Sequence, residues 1–283
     1  ITLEFSGFAK LFGGAGNDIF RSVEAHSYTG SINGGGGENT LTYEDYSAGT
    51  PVSVIINTPG EAGAFTGTAT GLIDGTFTNI NLVIGGSAYD TLTGADLAAV
   101  FEIGPADVRY ICEANILVIK GFEKLTGGSA TDVFMITGSI SYDIDGGAGN
   151  DYFVIQTGAH LTGDVHGNEG DDGFIFEENA VLTGNLSGGT GDDYFVIQKN
   201  AQLYGNVFGN EGDDYIGLKE NAIVNGNLYG ASGDDIFYFA PGARLMGNIE
   251  GGDGSDIITL SGNDNISGNL KGGAGSDWLV YTE

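Results

Sequence analysis

Gly188-Gly189-Thr190-Gly191-Asp192-Asp193-Tyr194-Phe195-Val196-Ile197 holds a glycine-rich turn, a pair of acids and an apolar run, and its repetition decides the fold. The glycine that opens it recurs at Gly146, Gly167, Gly188, Gly209, Gly230, Gly251 and Gly272, each step being 21 residues. A fixed period of this size is the mark of a stacked-repeat architecture. With that glycine as position 1, position 8 holds Phe153, Phe174, Phe195, Ile216, Phe237, Ile258 and Leu279, and position 10 is apolar throughout. Alternate apolar positions describe a strand with one buried face. A second apolar set at positions 16 and 20, exemplified by Leu182 and Leu186, adds another inward-facing stretch to each coil. Position 18 is glycine from Gly163 to Gly268, and position 19 is asparagine except at Asp164, which marks a second corner. Stacked Asn185, Asn206, Asn227, Asn248 and Asn269 are placed to form an amide ladder. The expected fold is all-β, a right-handed parallel β-solenoid of 21-residue coils.

The frame extends upstream in worn form. Gly13-Gly14-Ala15-Gly16-Asn17-Asp18 and Gly34-Gly35-Gly36-Gly37-Glu38-Asn39 are 21 residues apart, and Gly85 and Gly127 are 42 apart. This predicts degenerate coils with inserted loops over 1–145 and seven regular coils over 146–283. The stretches from about Thr42 to Asn81 and from Ala95 to Ile119 break the pattern and contain Pro51, Pro59 and Pro105, so they are expected to be protruding loops or irregular coils.

Composition narrows the function. The chain has 283 residues with 52 glycines, 16 Phe and 13 Tyr, which fits neither a disordered tail nor a helical protein. Its formal net charge of -29 repels nucleic acid and anionic lipid and makes cations the natural partner. Cys112 is the single cysteine, so no internal disulfide forms and a cysteine-based zinc site is excluded. No run of ~18 apolar residues exists to span a membrane as a helix. No signal peptide is visible from Ile1 onward, and the chain reads as an excerpt or a processed product.

The turn resembles the nonapeptide Gly-Gly-x-Gly-x-Asp-x-U-x of the RTX (repeats-in-toxin) family, where U is a large apolar residue. Gly146 to Val154, Gly188 to Val196, Gly251 to Thr259 and Gly13 to Arg21 match it fully, whereas Asn168, Asn210 and Ala231 depart at position 2. The resemblance implies a calcium-loaded β-roll, export by type I secretion and an extracellular or bacterial cell-surface location. Family rolls run their nonapeptides back to back; here one nonapeptide alternates with a 12-residue strand and corner, which implies calcium along one edge only.

The chemistry of the residues points the same way. Ca²⁺ takes six to eight oxygen ligands at ~2.3 to 2.6 Å, and a glycine turn frees carbonyls while the position 6 carboxylate supplies charge. Coils stacked at ~4.8 Å would let one ion be shared by two turns. The candidate ligands are Asp151, Asp172, Asp193, Asp214, Asp235, Asp256 and Asp277 with the glycines named above, joined upstream by Asp18, Asp90 and Asp132. Seven coils leave gaps for about six ions in the regular half. Position 5 acids Asp171, Asp192, Asp213 and Asp234 are expected to point outward, and Glu169, Glu211 and Asp253 to be surface charge.

Other chemistries are weaker. Gly13 to Asp18 lacks the Gly-Lys-(Ser/Thr) of a phosphate loop. His26, His160 and His166 are not spaced as a cluster, and the nine Lys and Arg residues, including Arg109, are scattered rather than gathered for catalysis. Trp278 is expected to pack in the core or cap a coil. An ice-binding face would need a threonine array, and outward positions 15 and 17, which read His160-Thr162 to Asn265-Ser267, do not supply one. The reading is a non-enzymatic, calcium-stabilised structural or adhesive segment of a secreted bacterial surface protein, with calcium, further repeats or further copies as partners. An accessory repeat region of a secreted enzyme or toxin, or a carbohydrate-binding module using Tyr194, Tyr204, Tyr215 and Tyr238, is the alternative.

Overall fold

A computed structural model describes residues 8–22, 28–61, 63–70, 75–262 and 265–282; His26 lies outside them. Among the described residues every regular element is a strand. The chain divides into two compact units, one of Ile1–Glu102 with Ala106–Ser129 and the other of Ile103–Pro105 with Ala130–Glu283.

The second unit is the regular stack of parallel coils, each contributing a strand to three sheets. In one coil the strands are Val165–Glu169, Gly173–Phe176 and Val181–Thr183, and they run parallel to Leu186–Thr190, Tyr194–Ile197 and Gln202–Tyr204 of the next. The register sets Val165 on Leu186, Phe174 on Phe195 and Leu182 on Leu203, so each inward position becomes a column through the core. The rings of Phe134, Phe153, Phe174 and Phe195 stack with centroids 5.0, 4.8 and 4.5 Å apart and planes within 9° of parallel. Stacking face to face is forced by the coil spacing, since each ring sits one strand above the last. Buried Ala159, Ala180, Ala201, Ala222 and Ala243 leave room for the corner formed by Gly158, Asn179, Asn200, Asn221 and Gly242, all at positive φ.

The position 18 glycines answer to close approach: a Cβ on Gly205 or Gly226 would collide with the carbonyl oxygen of the preceding coil's glycine. The neighbouring asparagines form their ladder mainly through backbone donors, with one side-chain amide bond, from Asn248 Nδ2 to Asn227 Oδ1 at 3.1 Å. Asn206, Asn227, Asn248 and Asn269 each donate a backbone N–H to the side-chain oxygen of the preceding Asn at 2.8 to 3.0 Å. The side chain thereby satisfies an amide that the corner leaves outside the sheet ladder. Trp278 is at position 7, which faces outward in the inner coils, as at Tyr152 and Tyr194, so it does not pack in the core.

The first unit begins with the same two-sheet alternation: β1 (Lys10–Phe12), β2 (Ile19–Arg21), β3 (Ser31–Asn33) and β4 (Thr40–Thr42). There follow β5 (Ser53–Pro59), β6 (Phe65–Thr70), β7 (Gly75–Ile80), β8 (Leu82–Ile84) and β9 (Thr91–Thr93). The unit ends with β10 (Ala99–Ile103), β11 (Val108–Cys112), β12 (Asn115–Lys120) and β13 (Lys124–Thr126). One sheet has the order β1-β3-β7-β6-β5-β9-β13, the other β2-β4-β8-β12-β11-β10.

The two pattern-breaking stretches are therefore not protruding loops. Each is a three-stranded antiparallel meander laid into a sheet of otherwise parallel strands. Their alternation explains it: Val54, Ile56, Phe65, Ala69 and Phe77 are buried while Ser53, Ile55, Thr66, Thr68, Thr76 and Thr78 are more exposed, which is strand patterning without the glycine-aspartate turn. Pro51 and Pro59 sit just before β5 and at its last residue, and Pro105 lies between β10 and β11, where no ladder hydrogen bond is lost. Because each meander runs back down its sheet, the connections β4–β5, β8–β9 and β12–β13 must each climb past two strands before re-entering the other sheet. Backbone bonds join them side by side, from Tyr43 to Ile84, Gly85 to Lys120 and Ser87 to Tyr46 at 2.8 to 3.1 Å.

Candidate metal centre

Position 6 follows the glycine turn and opens the strand whose position 8 side chain is in the core, so it too points inward at the corner. Asp132, Asp151, Asp172, Asp193, Asp214, Asp235 and Asp256 are each at most 2% exposed, while Asp277, in the seventh coil, is exposed. From Asp151 to Asp277 one carboxylate oxygen is accounted for. Oδ1 of Asp151, Asp172, Asp193 and Asp214 accepts the backbone N–H of the preceding column member at 2.7 to 2.8 Å, and the bonds continue to Asp277.

The other oxygen is not. Oδ2 of Asp151, Asp172, Asp193, Asp214, Asp235 and Asp256 is buried without a hydrogen-bond partner. Each lies against its own position 1 glycine: a Cβ on Gly188 would collide with Asp193 Oδ2 and come within 2.8 Å of the carbonyl oxygen of Gly209 in the next coil. Gly146, Gly167, Gly209, Gly230 and Gly251 repeat this arrangement with the following glycine's carbonyl at 2.6 to 2.8 Å. Two oxygens of adjoining coils thus border the same small space, and neither carries a proton in the ionised state. Gly272 is likewise crowded by Asp277.

Asn39 provides an internal control. It occupies position 6 of the coil opened by Gly34, is fully buried, and its Nδ2 donates to the carbonyl oxygen of Asn79 in the adjacent strand at 3.0 Å. Where the column carries an amide, a donor meets the neighbouring carbonyl; where it carries a carboxylate, an unpaired oxygen does. Burying an unpaired carboxylate is costly, and the group recovers the loss by taking a proton or a cation. Burial pushes Asp151, Asp193 and Asp235 up to about 7, Asp172 to about 6 and Asp214 to about 8; the N–H bonds to Oδ1 oppose this and neighbouring carboxylates add to it. Asp256 is raised for the same reasons.

The residues present fit a hard cation. Each gap offers a carboxylate oxygen and a glycine carbonyl, both of the oxygen class that Ca²⁺ selects. Among the described residues no group of three or more His, Cys, Asp and Glu side chains converges on a point, so the cradle is built from single carboxylates and backbone. Outside it, Asp171, Asp192, Asp213 and Asp234 are exposed as expected, each accepting the N–H of position 5 in the next coil at 2.7 to 2.9 Å. Glu169, Glu211 and Asp253 are also exposed.

The upstream candidates separate. Asp132 belongs to the column through its bond to Asp151. Asp18 has the same turn but is half-buried, and its Oδ2 already accepts the Gly14 N–H at 2.7 Å. Asp90 lies elsewhere. Pairing of Lys124 with Thr91 and Thr126 with Thr93 sets Gly127 over Gly94, not Gly85, so the 42-residue spacing misleads. The turn from Gly85 to Asp90 is the climbing connection between β8 and β9. Both oxygens of Asp90 are used, Oδ1 by Val52 N–H and Oδ2 by Gly86 N–H, while its own N–H binds Glu123. It fastens the three connections together, and although its Oδ2 also lies near the Gly121 carbonyl, the Gly86 N–H gives that oxygen the donor which Oδ2 of the second unit's column lacks.

Among the described residues the other charged groups meet as surface pairs, the largest being Arg21 with Glu44 and Asp45. His160 meets Thr183 Oγ1, and Arg109 pairs with Glu102 on the surface. No helix among the described residues is long and apolar enough to cross a membrane. No protein-family model matches this chain, and no curated protein is detectably similar to it.

Proposed function

We propose that the chain is a calcium-stabilised structural segment of the RTX type, belonging to a secreted bacterial surface protein that uses it as a stalk, lattice element or fibre. The observation that carries this reading is the row of six buried, unpartnered Oδ2 atoms, each bordering the next coil's glycine carbonyl. A divalent ion between coils would neutralise the pair and tie successive coils together, coupling metal binding to folding. Weak sites of this kind load outside a cell, where calcium is abundant, and stay empty within it. A chain exported unfolded and hardened on arrival suits type I secretion.

The test is a calcium titration of the EDTA-stripped chain at pH 8, followed by calorimetry and far-ultraviolet circular dichroism. Several ions should bind with a gain of β signal that magnesium does not reproduce, since Mg²⁺ demands a tighter octahedral shell. A stripped sample that keeps its full β signal and takes up no calcium removes the proposal.

A further inference from the structure

The outer face of the first unit's β1-β3-β7-β6-β5-β9-β13 sheet is a threonine lattice that the meander assembles. Across the strands, Ser31, Thr76, Thr68, Ile55, Thr93 and Thr126 lie in one register column. A second row places Thr70 beside Ser53 and Thr91, and Thr58 faces Thr66, their hydroxyls 2.7 Å apart. All these side chains are partly or fully exposed. Threonines two apart in a strand are ~6.6 Å apart and those on adjacent strands ~4.8 Å, so the face is a two-dimensional grid of hydroxyl and methyl groups. β-branching holds each side chain in few rotamers, so little ordering is required on contact.

The charge distribution says what such a face can meet. The chain carries 38 Asp and Glu, yet these seven strands contain none, and their only cations are Lys10 in β1, beside Ser31, and Lys124 in β13, beside Thr91. Between them, at Thr76, Thr68, Ile55 and Thr93, the face offers no charge for a partner to pair with. The aromatic platform that a sugar ring stacks on is also missing: Phe65 and Phe77 are buried, and Phe12 is on β1 at the sheet edge. What remains between the lysines is a neutral grid, in unbroken register where Ser53–Ile56 pairs with Gly67–Thr70, whose hydroxyls can hold water in fixed positions while the methyls exclude it between them.

We propose that this face orders a water layer and adsorbs to ice. The full chain, kept in calcium-containing buffer, is to be assayed by capture in a growing ice hemisphere and by the shape of single ice crystals under the microscope. The wild type should be enriched in the ice and should facet the crystals. Thr68→Tyr and Thr93→Tyr, which raise a ring above the grid, should lose both effects while keeping the wild-type melting temperature; Thr162→Tyr, on an exposed position of the second unit, should lose neither. Exclusion of the wild type from ice with unfaceted crystals overturns the proposal, whether or not the variants fold. So does equal loss in Thr162→Tyr. Capture by powdered cellulose or chitin that Thr68→Tyr abolishes, without any effect on ice, makes the partner a neutral polysaccharide and overturns it as well.

Discussion

Removing calcium should make the stability of the second unit fall steeply with pH, in the opposite sense to most acidic proteins. The position 6 carboxylates have folded-state values raised above the ordinary 3.8, to about 6 for Asp172 and about 8 for Asp214. A carboxylate raised in the folded state takes up protons on folding, so its contribution is fully present below about pH 4 and is lost as pH rises through the folded value. The window is therefore about pH 4 to 8. For Asp172, the least shifted of the five with a stated value, about two units at ~1.36 kcal/mol each amount to ~3 kcal/mol, which solvent screening at the turn reduces to ~2 kcal/mol. Five such groups cost on the order of 10 kcal/mol when ionised and metal-free, comparable with the ~5–15 kcal/mol stability of a whole domain. In EDTA the melting temperature should then be higher at pH 5 than at pH 8 by on the order of 20 °C. Calcium should restore it at pH 8 and do little at pH 5, where protons already occupy Oδ2. Circular dichroism melts at the two pH values, with and without the ion, are sufficient. Equal melting temperatures at pH 5 and pH 8 in EDTA would refute the reasoning, since they would mean that the unpaired oxygens are not buried anions.

Asp193→Asn should imitate Asn39 by giving the Gly209 carbonyl a donor: calorimetry should count fewer calcium ions, and the metal-free chain should melt higher at pH 8. Gly188→Ala should destabilise by ~1–3 kcal/mol in urea titrations because its methyl meets Asp193 Oδ2, whereas Gly16→Ala, with open space around the new Cβ, should be silent. Asp90→Asn should cost ~1–3 kcal/mol by disturbing the acceptors of Val52 and Gly86 yet leave the calcium count unchanged. Phe174→Ala should cost ~3–5 kcal/mol in the same titrations, because it opens a gap in the ring column between Phe153 and Phe195 that close-packed coils cannot collapse to fill.

Where a coil carries its own turn, strands and corner, local pattern and tertiary structure agree. Phe174, Leu182, Leu186 and Asp193 are each where the 21-residue period puts them, because stacking identical coils makes every sequence position a spatial column. The first unit departs for the same reason in reverse. Val54, Phe65 and Phe77 alternate like any strand, but nothing local states whether a strand runs parallel in the next coil or folds back on its neighbour. That choice moves Gly127 from Gly85 to Gly94, withdraws Asp90 from the carboxylate column and collects Thr68, Thr76 and Thr93 on one face.

The sequence by itself determined the parallel coil, its inward residues and the identity of the acids at the turn, since these depend on a period that survives any reading. Only the tertiary structure decided that the position 6 carboxylates point inward with one oxygen satisfied and the other left against a carbonyl. Hydrogen-bond satisfaction is a property of two adjacent coils together, and a residue's own coil does not contain its partner.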